Sequence, residues 1–216
     1  TSSGPVIFCQ TRIGFGGKPF TIYKFRTMYV NRSSESITLC NDPRITQVGH
    51  FLRKTRLDEM PQLLNILKGD MSFVGPRPDV PGYSDRLTGS DTIIWSVRPG
   101  LTGLDSLIYQ DEDILLNRQA NPQIFYDTVL WPDKVNINKL YINNRNFSTD
   151  LWVIRNTILL WLKNPQKYYF SEFIKKYPSV LQKQRSGLKN TFISRTGPKN
   201  VVKQVCTSKV LTFCND

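Results

Sequence analysis

Apolar residues at Met60, Leu63, Leu64 and Leu67 recur at i, i+3, i+4 and i+7, which predicts a helix with these residues along one face. Asp58 stands where an N-cap would, Pro61 falls in the first turn where its missing N–H costs little, and Gly69 after Lys68 is a C′ stop. A frame three residues earlier, with Thr55-x-x-Asp58 as a capping box, also fits; either frame leaves Asp58 and Glu59 at the N-terminal end. Upstream, Val6-Ile7-Phe8 and Phe20-Thr21-Ile22-Tyr23 are β-formers around the turn chemistry of Gly14 to Pro19, so Gly4 to Met28 reads as a β-hairpin. Gly14, Gly16 and Gly17 match neither phosphate-loop spacing. Ile45, Val48, Phe51 and Leu52 form a short helical face that delivers Arg53 just ahead of the two acids.

Beyond this region, Tyr83 to Ser96 reads as irregular and Arg98 to Gly103 as a tight turn. Asp105 to Trp131 carries acid-rich helical patterns broken at Asn121-Pro122 and Trp131-Pro132. Leu151, Ile154, Ile158, Leu159 and Leu162 stripe one helix face, flanked by Trp152 and Trp161. Core packing is the default for such a stripe, and lying in a membrane interface, with Lys163 at its edge, is the alternative. The polar, Ser-rich run Tyr29 to Asn41 is a loop. The expected class is α+β: an N-terminal β-hairpin packed with several short helices.

Charge adds a partner. The 216 residues carry a net charge of +12, with ten Lys or Arg against two acids from Pro165 to Asp216, so +8 of the excess lies there. An acidic partner follows: nucleotide phosphate, nucleic acid or an anionic membrane surface. The division expected is residues 1–164 as a catalytic domain and 165–216 as a basic extension. Cys9, Cys40, Cys206 and Cys214 form no C-x-x-C pair and His50 is the sole histidine, so zinc is not indicated and free thiols are expected. His50 reads as an exposed helix residue. No run of about 18 apolar residues is present to span a bilayer.

The chemistry centres on Asp58 and Glu59. A helix N-terminus favours an ionised carboxylate and bound phosphate, and adjacent acids can divide labour, one attacking phosphorus while the other holds a hard cation such as Mg²⁺ with substrate phosphate oxygens. Arg77 follows between Pro76 and Pro78, which restrict the backbone and present a planar five-donor fork to a diphosphate at little ordering cost. A lone Asp-Glu pair is more often a helix cap with a solvated neighbour. Here the pair sits within a longer pattern.

That pattern, NDPRIT at Asn41 to Thr46, LRKTRLDEMPQLLNILKGDMSFVGPRP at Leu52 to Pro78 and RPGLTG at Arg98 to Gly103, resembles the bacterial sugar transferases, the monotopic polyprenyl-phosphate phosphoglycosyl transferases. The resemblance covers about three quarters of the chain, from Gly4 to roughly Leu162. It implies a phosphoglycosyl transferase-like domain that moves a sugar 1-phosphate from a UDP-sugar to a polyprenyl phosphate, such as undecaprenyl phosphate, with release of UMP. It further implies that Asp58 attacks the β-phosphate to give a phosphosugar intermediate and that Glu59 is the Mg²⁺ ligand. By the same resemblance Arg53 helps hold phosphate, Lys24 and Arg26 flank the site, and Arg98 is a phosphate or uridine contact, the alternative for Arg98 being a capping or surface role. Arg56 departs from the small residue usual at its position. Members begin with a hydrophobic segment that dips into the membrane, and this sequence starts past that point; the implied place of work is the cytoplasmic face of the bacterial inner membrane. Nucleic acid is not expected, since binding it would need no carboxylate pair. A catalytically inactive scaffold is the remaining rival, and retention of Asp58, Glu59 and Arg77 argues against it.

Overall fold

The hairpin forms from strands β1 (Ile7–Ile13) and β2 (Pro19–Phe25), antiparallel with Ile7 opposite Phe25 and Ile13 opposite Pro19. The computed structural model describes residues 3–30 and 42–163, with side chains through residue 160. Most of the expected loop before Asn41, the basic stretch 165–216, the side chains of Trp161, Leu162 and Lys163, and Cys40, Cys206 and Cys214 lie outside the described residues. The hairpin is followed by helix α1 (Gln47–Lys54), whose N-cap Thr46 accepts a hydrogen bond from the Gly49 N–H. Next come a 3₁₀ helix (Leu57–Gln62) and α2 (Leu63–Lys68), then β3 (Ser72–Val74) and β4 (Gly100–Thr102), which pair in parallel. Short helices α3 (Leu104–Ile108), α4 (Glu112–Asn117) and α5 (Pro122–Phe125) lead to the longer α6 (Trp131–Asn143) and α7 (Phe147–Lys163). This is a mixed fold of helices and small sheets, as the patterning implied.

Several expectations are corrected or refined. First, Asp58 is no N-cap: the segment starts at Arg56, in the left-handed region at φ 56°, and the acids lie inside a 3₁₀ helix that becomes α-helical only after Gln62. Thr55 is no capping box either; it closes α1 and its hydroxyl donates to the Phe51 carbonyl. Gly69 does stop α2, at φ 82°. Second, the apolar stripe points outward. Met60, Leu64 and Leu67 are 43%, 53% and 83% exposed, while Pro61, Gln62 and Asn65 are buried. Asn65 explains the inversion: its amide donates to the Thr21 carbonyl at 2.7 Å and accepts from the Tyr23 N–H at 3.2 Å, so the polar face is fastened to β2.

Third, Arg98 to Gly103 is not only a turn; it runs into β4, and the backbones of Gly75 and Gly100 are so close that a Cβ on Gly100 would stand 2.2 Å from the Gly75 nitrogen. Fourth, the α7 stripe is not a buried core face: Leu151 and Ile158 are exposed and Ile154 and Leu159 half-buried, while Thr149, Trp152, Val153 and Asn156 are buried. The buried face meets the small sheet, where the hydroxyls of Thr157 and Thr102 lie 2.8 Å apart. The expected break at Trp131-Pro132 is instead absorbed, because a π-helical turn (Tyr126–Leu130) joins α5 to α6 and Pro132 occupies its first turn, where no N–H is required. Val48 and Phe51 of α1 are exposed as well, since that helix buries Gly49 directly on the Thr27 carbonyl. His50 is exposed and Cys9 is an exposed free thiol.

Candidate active site

Three segments converge on Glu59. Lys24 comes from β2, Glu59 from the 3₁₀ helix, and Arg77 from the loop after β3. The Arg77 Nη2 donates to Glu59 Oε1 at 2.5 Å, and Lys24 Nζ donates to the same oxygen at 3.2 Å. Burial alone would push the Glu59 carboxyl up; Arg77, then Lys24, outweigh it and hold the group well below the usual carboxylate range. Asp58 behaves oppositely. Burial, then repulsion from Glu59, raise its pKa. Its Oδ1 is buried without any hydrogen-bond partner. Two neighbours in sequence are thus split into an anchored, strongly acidic carboxylate and an unanchored, more basic one.

The loop carrying Arg77 is fixed from both sides. Gly75 N–H donates to the Thr102 carbonyl at 3.0 Å and Gly100 N–H to the Pro76 carbonyl at 2.9 Å, tying it to β4. On the other side Ile13 N–H donates to the Asp79 carbonyl at 3.0 Å and Arg12 Nη1 to the Pro78 carbonyl at 3.3 Å, tying it to β1. Pro76 and Pro78 are buried, and Arg77 makes its one hydrogen bond among the described residues to Glu59. The Glu59 charge raises the Arg77 pKa further, so the fork is a permanent cation.

Arg53, at the end of α1, donates through Nε to the Thr27 hydroxyl at 3.0 Å; burial lowers its pKa while the charge of Asp58 resists that shift. Arg26 binds the Ser3 and Gly4 carbonyls at 2.6 and 3.0 Å, and so braces the start of the chain. Arg98 is exposed, its guanidinium 3.9 Å from where a Cβ on Gly69 would stand. That is the C-terminal end of α2, roughly 9 Å of helix beyond the end that the acids precede. The NDPRIT motif is braced internally, Arg44 pairing with Asp42 at 2.6 Å.

Arg12, Asp79 and Asn65 are site-supporting residues that the sequence did not single out. Burial, then the nearby Arg77, push Arg12 down to about 10, and burial, then Asp105, push Asp79 up to about 6. The only local signal for Asn65 was a polar residue among leucines; Arg12 and Asp79 gave none, because their partners are distant in sequence.

Chemically the site offers a carboxylate without a partner beside a second carboxylate held by two cations. Mg²⁺ is commonly bound by one or two carboxylates together with substrate phosphates rather than by a full protein cage. The orphaned Asp58 Oδ1 next to Glu59 suits such an ion, and among the described residues no group of three or more His, Cys, Asp or Glu forms a complete cage.

The profile of a family described as bacterial sugar transferase matches residues 1–164, and the chain belongs to that family. It is 38% identical over 154 residues to the uncharacterized sugar transferase EpsL of Bacillus subtilis (strain 168), covering 71% of this chain and 68% of that protein. It is 47% identical over 108 residues to the UDP-glucose:undecaprenyl-phosphate glucose-1-phosphate transferase of Escherichia coli (strain K12), covering 48% of this chain and 23% of the relative. A third relative, the putative undecaprenyl-phosphate N-acetylgalactosaminyl 1-phosphate transferase of Bacillus subtilis (strain 168), is 48% identical over 85 residues, covering 38% of this chain and 48% of its own. The matched segments of the last two therefore span less than half of those relatives' lengths.

Proposed function

We propose that the chain transfers a sugar 1-phosphate from a UDP-sugar to a polyprenyl phosphate at a membrane surface, through a covalent intermediate on Asp58. The observation that carries this reading is the contrast between the acids: Asp58 has a buried, unpartnered oxygen and a raised pKa, whereas Glu59 is fixed by Arg77 and Lys24. A desolvated carboxylate oxygen with no donor to quiet it is a stronger nucleophile than a paired one. In the first half-reaction the Asp58 carboxylate forms a bond to the β-phosphorus, the bond from that phosphorus to the bridging oxygen breaks, and UMP departs with the electron pair. In the second, an oxygen of the polyprenyl phosphate bonds to the same phosphorus and Asp58 leaves as carboxylate. Charge balances in both halves without a proton, so no histidine is needed.

Arg77, Arg53 and Lys24 supply positive charge where phosphoryl charge develops, and catalysis of this kind is mostly positioning and neutralisation. Glu59 would hold Mg²⁺, which when bound supplies further neutralisation of the diphosphate. The named relatives that act on undecaprenyl phosphate support this acceptor class, and the cytoplasmic face is the side where nucleotide sugars are supplied. The test incubates the protein with a UDP-sugar panel labelled in the sugar, undecaprenyl phosphate, Mg²⁺ and detergent. Expected are UMP release before lipid is added and a labelled adduct on the peptide holding Asp58; Asp58→Asn should lose both. Label on another residue, or UMP release that requires the lipid, overturns the reading.

A further inference from the structure

Glu59 meets its two cations through a single oxygen. Arg77 at 2.5 Å and Lys24 at 3.2 Å both donate to Oε1. The Lys24 and Glu59 side chains are only 18% and 9% exposed, so water screens their contact weakly, while Arg77 at 37% exposure is screened more. Arg53 and Arg12 add two more partly or largely buried cations around the same pair of acids. Before any ligand arrives, the positive charge close to Asp58 and Glu59 therefore already equals or exceeds the negative. A bare divalent ion entering here meets Glu59 Oε1 already occupied by two cations, and an unpartnered Asp58 Oδ1 set among a surplus of positive charge.

We propose that Lys24 acts as a positioning residue that makes the metal site conditional: with Arg77 it neutralises Glu59, so that a divalent cation enters only together with the diphosphate of the nucleotide. The inference rests on the reading of Glu59 as metal ligand given above. The diphosphate resolves the conflict in two ways. It brings negative charge that offsets the metal, and it offers Arg77 an alternative acceptor, since Arg77 has further N–H donors beyond the one spent on Glu59. Lys24 too has N–H donors to spare, but its ammonium is largely buried beside Glu59 and its carrier strand is pinned to α2 by Asn65. It stays beside Glu59 and sets how strongly the empty site rejects a cation. Coupling between two ligands is reciprocal, so the metal must raise nucleotide affinity by the same factor.

This order has a use in the chemistry. A site that held metal before substrate would polarise water beside an unpartnered carboxylate, and a site that fills with metal and diphosphate together assembles only when the phosphorus to be attacked is present.

The experiment measures Mn²⁺ binding to the full chain by electron paramagnetic resonance, alone and with saturating UDP, and UDP binding with and without Mn²⁺. Glu59→Gln corrects for metal that the nucleotide itself carries. Wild type should bind Mn²⁺ at least tenfold more tightly with UDP than without, and UDP should gain by the same factor. Lys24→Met, which keeps length and packing, should bind Mn²⁺ alone several-fold more tightly than wild type, shrinking the UDP-dependent ratio; Lys24→Arg should keep the wild-type ratio. A purely structural Lys24 would leave the ratio unchanged in Lys24→Met, and that result overturns the proposal. Equal Mn²⁺ affinity with and without UDP in wild type overturns it while leaving Glu59 as a ligand, and it decides the matter even if Lys24→Met fails to fold. Absence of Glu59-dependent Mn²⁺ binding under every condition removes the metal reading itself, and the proposal with it.

Discussion

Asp58 and Glu59 are joined by one peptide bond, yet their carboxyls are driven apart in acidity, because the cations of β2 and of the Arg77 loop reach only Glu59 by hydrogen bond. Pairs of titratable groups whose surroundings separate them are how a site assigns roles to like residues. The same physics acts on Asp79, one residue beyond the Pro-Arg-Pro run, where burial lifts the carboxyl from 3.8 to about 6 and Trp131 Nε1 at 3.5 Å gives only a weak bond. A folded pKa above the ordinary value means that the neutral form is favoured: the contribution is complete below about 3.8 and is lost as pH rises through about 6. Asp79→Asn should therefore match wild type in thermal melts near pH 4 and exceed it at pH 7. At about 1.4 kcal/mol per pKa unit, discounted for partial exposure, the gain is ~1–2 kcal/mol, or a few degrees in Tm. A difference that does not change with pH would mean that Asp79 is paired, not stranded. Asp58, Glu59 and Arg77 were singled out from sequence by the adjacent acids and the flanking prolines together with the family resemblance of the run Leu52 to Pro78, and the structure adds that Arg77 reaches Glu59. Asp79 and Arg12 were not, since each becomes part of the site only through chain segments far away.

Helices α2 and α7 were found by period, which left open the face that each one buries. Periodicity reports that one side differs from the other; it is silent about which side meets the rest of the protein. In α2 the decision falls to Asn65, completely buried, which completes two backbone hydrogen bonds of β2 that a leucine could not. Burying backbone polar groups without partners costs more than leaving leucines in water, so the polar side turns inward. Asn65→Ala should strand the Thr21 carbonyl and the Tyr23 N–H and cost about 2–4 kcal/mol, read as a drop in denaturation midpoint. Leu67→Ala, at a position that patterning would place in the core, should stay within ~0.5 kcal/mol of wild type. The reverse ranking would show that α2 sits on its leucines. The strands β3 and β4 escaped notice for a related reason: each is three residues long, and their pairing depends on Gly75 and Gly100 approaching without a Cβ, which no local preference announces.

At the scale of the domain, these inversions put Val48, Phe51, Met60, Leu64 and Leu67 of three consecutive elements in solvent, with Lys54, Arg56 and Lys68 exposed among them. No helix among the described residues is long and apolar enough to cross a membrane. An apolar strip interleaved with cations has the chemistry of an interfacial contact: hydrocarbon for the leucines, anionic headgroups for the Lys and Arg. It is carried by the same helical run that bears Asp58 and Glu59. The two contributions separate by salt, since each surface cation supplies ~1 kcal/mol that ions screen, while apolar burial is insensitive to them. Replacing Leu64 and Leu67 together by Glu removes about 2–3 kcal/mol of apolar burial and adds repulsion, which predicts a loss of at least tenfold in binding to phosphatidylglycerol vesicles. The loss should persist at high salt, where the basic stretch 165–216 contributes little, and Tm in the absence of lipid should hold because both side chains are already exposed. Unchanged sedimentation with vesicles at high salt would clear this face of any part in membrane binding, and a fall in Tm would reveal that another part of the protein covers it.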